Sequence, residues 1–477
     1  MRVEEAEEVA RAGGEPAVQL VLGLLAEIAE LRERVDEHER LLKRDSTNSS
    51  LAPSRDPALT RQQRRALARE RAKASLRKPG GQPGHEGKTR EMAAPERVDQ
   101  RLEHLPGRCG CGHRFDGSEE RLGEPVAHQK WELPPVRPLV LEHLLWRLAC
   151  PCCGKGALAE LPDGVSGSAF GPRLEAHVAV LAGVYRLSRR QVADVVREIF
   201  GCPISVGAVD AAIMRMSCVL ADPWLELRDA VRKADAVHAD ETSWRLHGAT
   251  QWLWVAASSL MACYRIDPSR SQRAAKELLG EDFGSFLISD RYAGYHWLDV
   301  LQQQLCWAHL IRQLTELSQR PGAPGKLGAN LLDAAREVIR AHRAYLQDSH
   351  DLAWLEAQLR PSRENIKRLL ESGVRGRHLK TRRFCAGLLE EYQALWTFCE
   401  VPGIDPTNNA AERALRHGVI LRKIQLGTQS DSGSRWIERI CSARETCMLQ
   451  RRSVLQYLID AATAAHHRQP IPSLAPP

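Results

Sequence analysis

Between Asp235 and Asp290 the chain changes texture, and this block constrains the architecture more than any other. "DAVHADETSWRL", "QWLWVAASS" and "MACYRI" are short apolar or alternating runs separated by polar turns, the pattern of three successive strands. "SRSQRAAKELLG" then has helical spacing, and "GSFLISD" reads as a buried strand that ends in an acid. Strand, strand, strand, helix, strand is the opening of a mixed sheet with a crossover connection. Asp240 falls on the first strand and Asp290 at the end of the fourth. If those strands are neighbours, the two carboxylates converge at the sheet surface. Like charges held together need a cation between them. With a third acid they can hold two divalent ions about 3.5–4 Å apart for in-line displacement at phosphorus. Taken singly, each aspartate is equally explained as a residue capping a turn. Glu241 rivals Asp240, and strand alternation sends the two to opposite faces.

The third acid is sought in "DPTNNAAERALR". Read locally, Asn409 is an N-cap with Glu412 at N3, reaching back to the cap N–H, and Arg416 is placed for a helix-surface ion pair. A catalytic reading needs the same helix to bring Glu412 back beside the aspartates. The interval from Asp290 to Glu412 is 122 positions (412 − 290) and contains long helical patterns such as "GKLGANLLDAAREVIRAHRAYL". A helical insertion at about 312–400 accounts for it. Around the acids, Asn408 and Asn409 either cap the helix or hydrogen-bond substrate and carboxylates. Cys306 and His309 of "CWAHL" have metal-like spacing but are too few for a site of their own. His309 could instead meet a phosphate or a water. Arg413, Arg416, Arg422 and Lys423 form a basic patch suited to DNA phosphates or to a solvated helix face.

The remaining chain divides by composition. At 477 residues it exceeds one ordinary core. Residues 1–45 carry a series at Val21, Leu24, Ile28, Leu31, Val35, His38 and Leu42 that steps by alternate threes and fours, the spacing of a heptad seam. Such a seam serves self-association or packing on its own domain. Residues 46–100 read as a basic flexible linker. Between Arg61 and Arg90 lie ten Lys or Arg and two acids, which makes Arg77, Lys78, Lys88 and Arg90 candidates for DNA contact. Residues 101–165 hold "RCGCGHRF" and "ACPCCGKG". The thirteen cysteines are too scattered for a disulfide framework, and Cys109, Cys111, Cys150 and Cys153 are candidate Zn²⁺ ligands, with a strand expected over "VRPLVLEHLLWRLA". Residues 166–230 read as three short helices, arranged as a helix-turn-helix unit or a plain packing module. The core occupies 231–465, and 466–477 is expected to be a disordered tail. The acidic start of the chain is no secretory signal and no run is long enough for a membrane span, so a cytoplasmic location is expected, nucleoid-associated when DNA is bound.

"HADETSWR", "LISDRYAGY", "CWAHLIRQL" and "DPTNNAAERALRHGVILRKIQLG", in that order, resemble the insertion sequence 66 transposase family over about residues 20–460. The resemblance implies a multidomain α/β protein with a ribonuclease-H-like mixed sheet core, helical insertion, N-terminal coiled-coil helix, zinc-ribbon-like module and helix-turn-helix-like module. It implies Asp240, Asp290 and Glu412 as a DDE triad binding two Mg²⁺ (or Mn²⁺). The implied activity is binding of terminal inverted repeats in double-stranded DNA, strand cleavage, and strand transfer to a target. A homo-oligomer and small accessory proteins of the same element are implied as partners. Arg291 stands where a small residue is expected in that family. Two alternatives stay open: a non-catalytic DNA-binding relic, and a nuclease of the same fold that cuts without joining.

Overall fold

The computed structural model describes Val35, Gly87, 90–162, 165 and 167–476. The heptad helix apart from Val35, and the basic positions Arg77, Lys78 and Lys88, lie outside the described residues. The chain divides into two compact units, one formed by 57–137 and the other holding Pro138 onward. In the first, Gln129 clamps Ala93 through both backbone groups, at 2.7 and 3.0 Å. Arg90 donates to Gln129 O at 2.9 Å and lies over the Trp131 ring.

In the second unit, β1 (Arg147–Ala149) and β2 (Gly156–Leu158) pair antiparallel. The strand expected over "VRPLVLEHLLWRLA" is therefore confined to its last residues. Upstream, Leu139, Val140, Leu141 and Leu144 are exposed and, among the described residues, lie outside any strand.

The helical segment follows as α1 (Pro172–Ala179), α2 (Arg189–Glu198), α3 (Val206–Val219) and α4 (Ala221–Arg232). Both expected serine caps are present. Ser188 makes a reciprocal capping box with Gln191, and Ser205 Oγ accepts from Ala208 N at 3.1 Å. Val178, Val192, Val209, Ile213 and Met216 share one apolar core with the sheet.

That sheet comprises β3 (Ala236–Leu246), β4 (Ala249–Ala257), β5 (Ala262–Asp267), β6 (Phe286–Ser289) and β7 (Gln303–Leu305). Its order is β5-β4-β3-β6-β7. The first three pair antiparallel, while β6 runs parallel to β3 and β7 parallel to β6. The crossover from β5 to β6 carries α5 (Gln272–Leu279). Past β7 come α6 (Trp307–Ser318), α7 (Gly322–Gln347), α8 (Leu352–Val374), α9 (Leu379–Glu390) and α10 (Thr397–Glu400). These helices form a second core with Ile288 and Leu305, whereas Leu287 faces the first, as alternation along a strand requires. The expected helical insertion is thus packed against the β6–β7 end of the sheet.

The chain returns as α11 (Asn409–Gln425), α12 (Asp431–Leu449) and α13 (Val454–His466). β5 is an edge strand whose outward N–H groups need partners. Glu438, Ser442 and Thr446, spaced by four on α12, accept from Ile266, Tyr264 and Ala262 N at 2.5, 2.9 and 3.0 Å. Four helical residues advance about 6 Å and two strand residues about 6.7 Å, so the two periods run in register. Burial at this edge pushes the Glu438 carboxyl up to about 7. The tail is not disordered: Leu474 is buried and its carbonyl accepts from Gln450 Nε2 at 2.9 Å. Among the described residues no helix is long and apolar enough to cross a membrane.

One buried histidine makes the fold acid-sensitive. His417 Nε2–H donates to Gly183 O at 2.9 Å, and Nδ1 accepts from Arg186 at 3.2 Å. This arrangement uses the neutral ring, and burial lowers its pKa from 6.5 to about 4, helped by Arg444. A folded-state pKa below the unfolded one means stability that is full above pH 6.5 and is lost as pH falls through 4. The interval corresponds to roughly 3 kcal/mol. Thermal melts should show His417→Gln losing less stability than the parent between pH 6.5 and 4. Parallel curves for the two proteins would contradict this.

Candidate active site

The β3–β6 register pairs His238 with Ile288. Carried two residues on, it sets Asp240 beside Asp290. β3 continues past this point while β6 ends at Ser289, so Asp290 starts the loop that leaves the sheet. Its Oδ1 accepts from Tyr292 N at 3.0 Å. Asp240 keeps some accessible surface yet is packed tightly enough for desolvation to raise its pKa well above the usual range. Glu241, Asp290 and Glu412 add to the rise. Asp240 therefore feels both other candidate acids.

Glu412 arrives on α11, which lies across β3 and β4. Gly418 permits this: a Cβ there would sit 2.4 Å from Leu253 Cδ2. The local cap expectation is corrected. Asn408, not Asn409, is the N-cap position, and its side chain makes no cap hydrogen bond. Asn408 is buried and turned into the sheet, where Nδ2 donates to Ala239 O at 2.7 Å and Oδ1 accepts from His238 Nδ1 at 3.3 Å. Its backbone N–H donates to Cys306 Sγ at 3.1 Å, and Cys306 N donates to Ser289 O at 2.8 Å. A continuous chain of hydrogen bonds thus links the residues preceding Asp240 and Asp290 to the start of the Glu412 helix.

Glu412 Oε1 lies 3.2 Å from Arg312 Nη2 and 3.5 Å from His309 Nδ1. His309 and Arg312 share a face of α6 at i, i+3. The His309 pKa is lowered by burial and then by Arg312, and its buried Nδ1 has no hydrogen-bond partner. Cys306, His309 and Glu412 present ligand atoms within 4.8 Å of one another. Burial pushes the Cys306 thiol up to about 11, and its sulfur already accepts the Asn408 N–H, so we read Cys306 as structural.

Glu241 is engaged elsewhere. It is ion-paired with Arg270 and accepts from Tyr295 OH at 3.0 Å. Burial raises its pKa, with Asp290 the next cause and Arg270 opposing. Of the basic patch on α11, Arg413, Arg416 and Lys423 are exposed. Arg422 is corrected: its Nη1 donates to Thr242 Oγ1 at 3.1 Å and Ser243 O at 2.5 Å, which turns it inward onto β3. Sequence reasoning missed Arg312, Arg270 and Tyr295. Only Arg312 left a signal, at i+3 from His309.

Each cysteine pair occupies a tight turn. Gly112 N donates to Cys109 O at 2.9 Å, and Gly154 N to Cys150 O at 2.8 Å. Hydrogen bonds from Cys111 lower the Cys109 pKa, and those from Cys153 and Cys152 lower that of Cys150, which favours the thiolate a zinc ion requires. Cys109 and Cys111 lie in the first compact unit, Cys150 and Cys153 in the second.

The fold defines a multidomain α/β protein whose mixed sheet places Asp240 on β3 in register with Asp290 at the end of the parallel β6. Residues 167–435 match the Transposase IS66 family, and the chain belongs to that family. Residues 106–154, which include Cys109, Cys111, Cys150 and Cys153, match the zinc-finger binding domain of transposase IS66, pointing to Zn²⁺. Residues 3–91 match a family of unknown function, DUF6444. An uncharacterized protein of Sinorhizobium fredii, y4qI, is 27% identical over 279 residues, covering 51% of this chain. The chain spans about half the length of that relative.

Proposed function

We propose that the chain is a DDE-type transposase with a ribonuclease-H-like core, and that Asp240, Asp290 and Glu412 are its metal ligands. What supports this reading is the β3–β6 register, which carries Asp240 alongside Asp290, together with the rise in the Asp240 pKa to which Asp290 on the β6 loop and Glu412 on α11 both contribute. A partly accessible set of like charges is suited to divalent cations, and oxygen-only donors suit Mg²⁺ or Mn²⁺. Two such ions, when bound, supply activation of an attacking water or 3′-hydroxyl and neutralisation of the leaving oxygen.

The chain's own residues do the rest. Asn408 and Cys306 hold the three backbones that carry the acids. Arg312 neutralises Glu412, which keeps the third carboxylate near the two aspartates despite their charge. Arg413 and Arg416, exposed beside Glu412 on α11, and Lys423 about three turns further along it, are suited to DNA phosphates. No Ser or Tyr nucleophile is required, so no covalent protein–DNA intermediate forms. Recognition of inverted repeats falls to the segments before the core, with a homo-oligomer and accessory proteins completing the assembly.

The test is incubation with duplex DNA carrying the ends of the element that encodes the chain. Mg²⁺ should yield both nicked ends and products joined to a target, and EDTA neither. Cleavage without joining would make the protein a nuclease, and binding without cleavage a relic. Zinc is tested separately: Cys150→Ser should lower the metal content measured by mass spectrometry from about one Zn²⁺ per chain to near none. Undiminished zinc would remove Cys150 from the ligand set.

A further inference from the structure

The stretch between Glu371 and Glu390 contains no acid, yet carries Arg375, Arg377, Lys380, Arg382 and Arg383, all of them exposed. It forms the turn after α8 and the first half of α9. That turn is rigidly seated. A Cβ on Gly373 would come within 2.3 Å of Cys385 Sγ, and Cys385 and Leu388 belong to the second core. Among the described residues, Arg375, Arg377, Arg382 and Arg383 make no ion pair with a carboxylate.

Lys380, Arg383 and Gly387 are spaced i, i+3, i+7 and so share one face of α9. At Gly387 the track passes to another element: a Cβ there would lie 3.2 Å from Arg291 Nη2. Arg291 fills the space that Gly387 leaves, lies over the Phe384 ring at 5.8 Å, and donates from Nε to Glu391 Oε2 at 2.5 Å. Arg291 directly follows Asp290. The basic start of α9 is thus joined, through Gly387 and the Glu391-paired Arg291, to a proposed catalytic carboxylate. From Gly387 to Lys380 is about 10 Å at 1.5 Å per residue, the rise of about three base pairs.

We infer that the turn after α8 and the start of α9, with Arg377, Arg382 and Arg383, form a track that holds the backbone of duplex DNA within a few base pairs of the phosphate at Asp290. The inference rests on the transposase reading for its substrate. The ligand is duplex DNA because four exposed arginines without carboxylate partners, Arg375 and Arg377 on the turn and Arg382 and Arg383 at the start of α9, outnumber the apolar side chains exposed beside them, Val374 and Leu379, and are suited to phosphates. Sequence plays no part in such contacts.

The experiment compares the full-length parent with Arg377→Gln/Arg382→Gln/Arg383→Gln. Binding to a random-sequence 30-base-pair duplex is followed by fluorescence anisotropy from about 50 to 200 mM salt. Three lost phosphate contacts should lower the slope of log K against log salt by about 2.7, so the parent should lose about 40-fold more affinity than the variant over that range. The corresponding triple Arg→Lys variant should retain the parental slope, and all three proteins should melt alike. Cleavage by the Gln variant should be impaired at high salt and recover at low salt, whereas Glu412→Gln should stay inactive at both. An unchanged slope in the Gln variant overturns the track, even where Glu412→Gln abolishes cleavage. A reduced slope together with full cleavage by Glu412→Gln leaves the track standing and removes the catalytic reading instead.

Discussion

Asp240→Asn is expected to lower Mg²⁺-dependent strand cleavage by about 10³-fold or more, with the fold intact. The substitution keeps the shape of the side chain and removes its charge. Metal assistance at phosphorus contributes several kcal/mol, and about 4 kcal/mol corresponds to 10³ in rate. Stability should not fall with activity. Asp240 is desolvated and feels the charges of Glu241, Asp290 and Glu412, so removing one negative charge relieves repulsion in the metal-free protein. The parent and variant are compared by single-turnover cleavage and by thermal melting without metal. A variant that is both inactive and markedly less stable would point to a structural Asp240, and one that cleaves normally would remove it from the site.

Asn408→Leu is expected to cost about 2–4 kcal/mol of stability and roughly 100-fold in cleavage rate. Leucine is close to asparagine in size, so the change removes hydrogen bonds more than volume. Ala239 O and His238 Nδ1 lose their partners in a buried setting, at about 1–3 kcal/mol for each group left unsatisfied. The loss in rate arises because α11 is no longer tied to β3 at the turn that aims Glu412. A misplacement of about 1 Å can cost 10²-fold. Urea denaturation gives the first quantity. Single-turnover cleavage, at a temperature where the variant is folded, gives the second. Full cleavage by a destabilised variant would show that the Asn408 link does not position the acid.

Much of the frame was legible because strand order and the acids share one block of sequence. The alternating runs from Asp235 to Asp290 gave β3, β4, β5 and β6 nearly residue for residue, and the serines gave the caps of α2 and α3. β7 was harder to read, since three residues pair only because β6 offers an edge. The cap at Asn409 failed for a tertiary reason. Asn408 finds better partners in Ala239 and His238, far away in sequence, than at its own helix end. Arg422 reads as one more basic residue on an exposed helix, and only the seating of α11 on β3 reveals that it faces Thr242 and Ser243. The C-terminal tail has the composition of disorder, with Pro470, Pro472, Pro476 and Pro477. Tyr457 OH, donating to Pro472 O at 3.1 Å, and burial of Leu474 order it nonetheless. The α12 ladder on β5 is visible in the sequence only once the pairing is known, as Glu438, Ser442 and Thr446 at intervals of four.

The most direct test of the central claim, that Asp240, Asp290 and Glu412 form one metal site, is anomalous diffraction from crystals of the full-length protein soaked in Mn²⁺. The account predicts anomalous peaks within about 2–2.3 Å of carboxylate oxygens from all three residues, with Glu412 released from Arg312. Manganese bound at Cys306 and His309 instead, or Glu412 still held by Arg312 while the aspartates alone bind the ion, would contradict it.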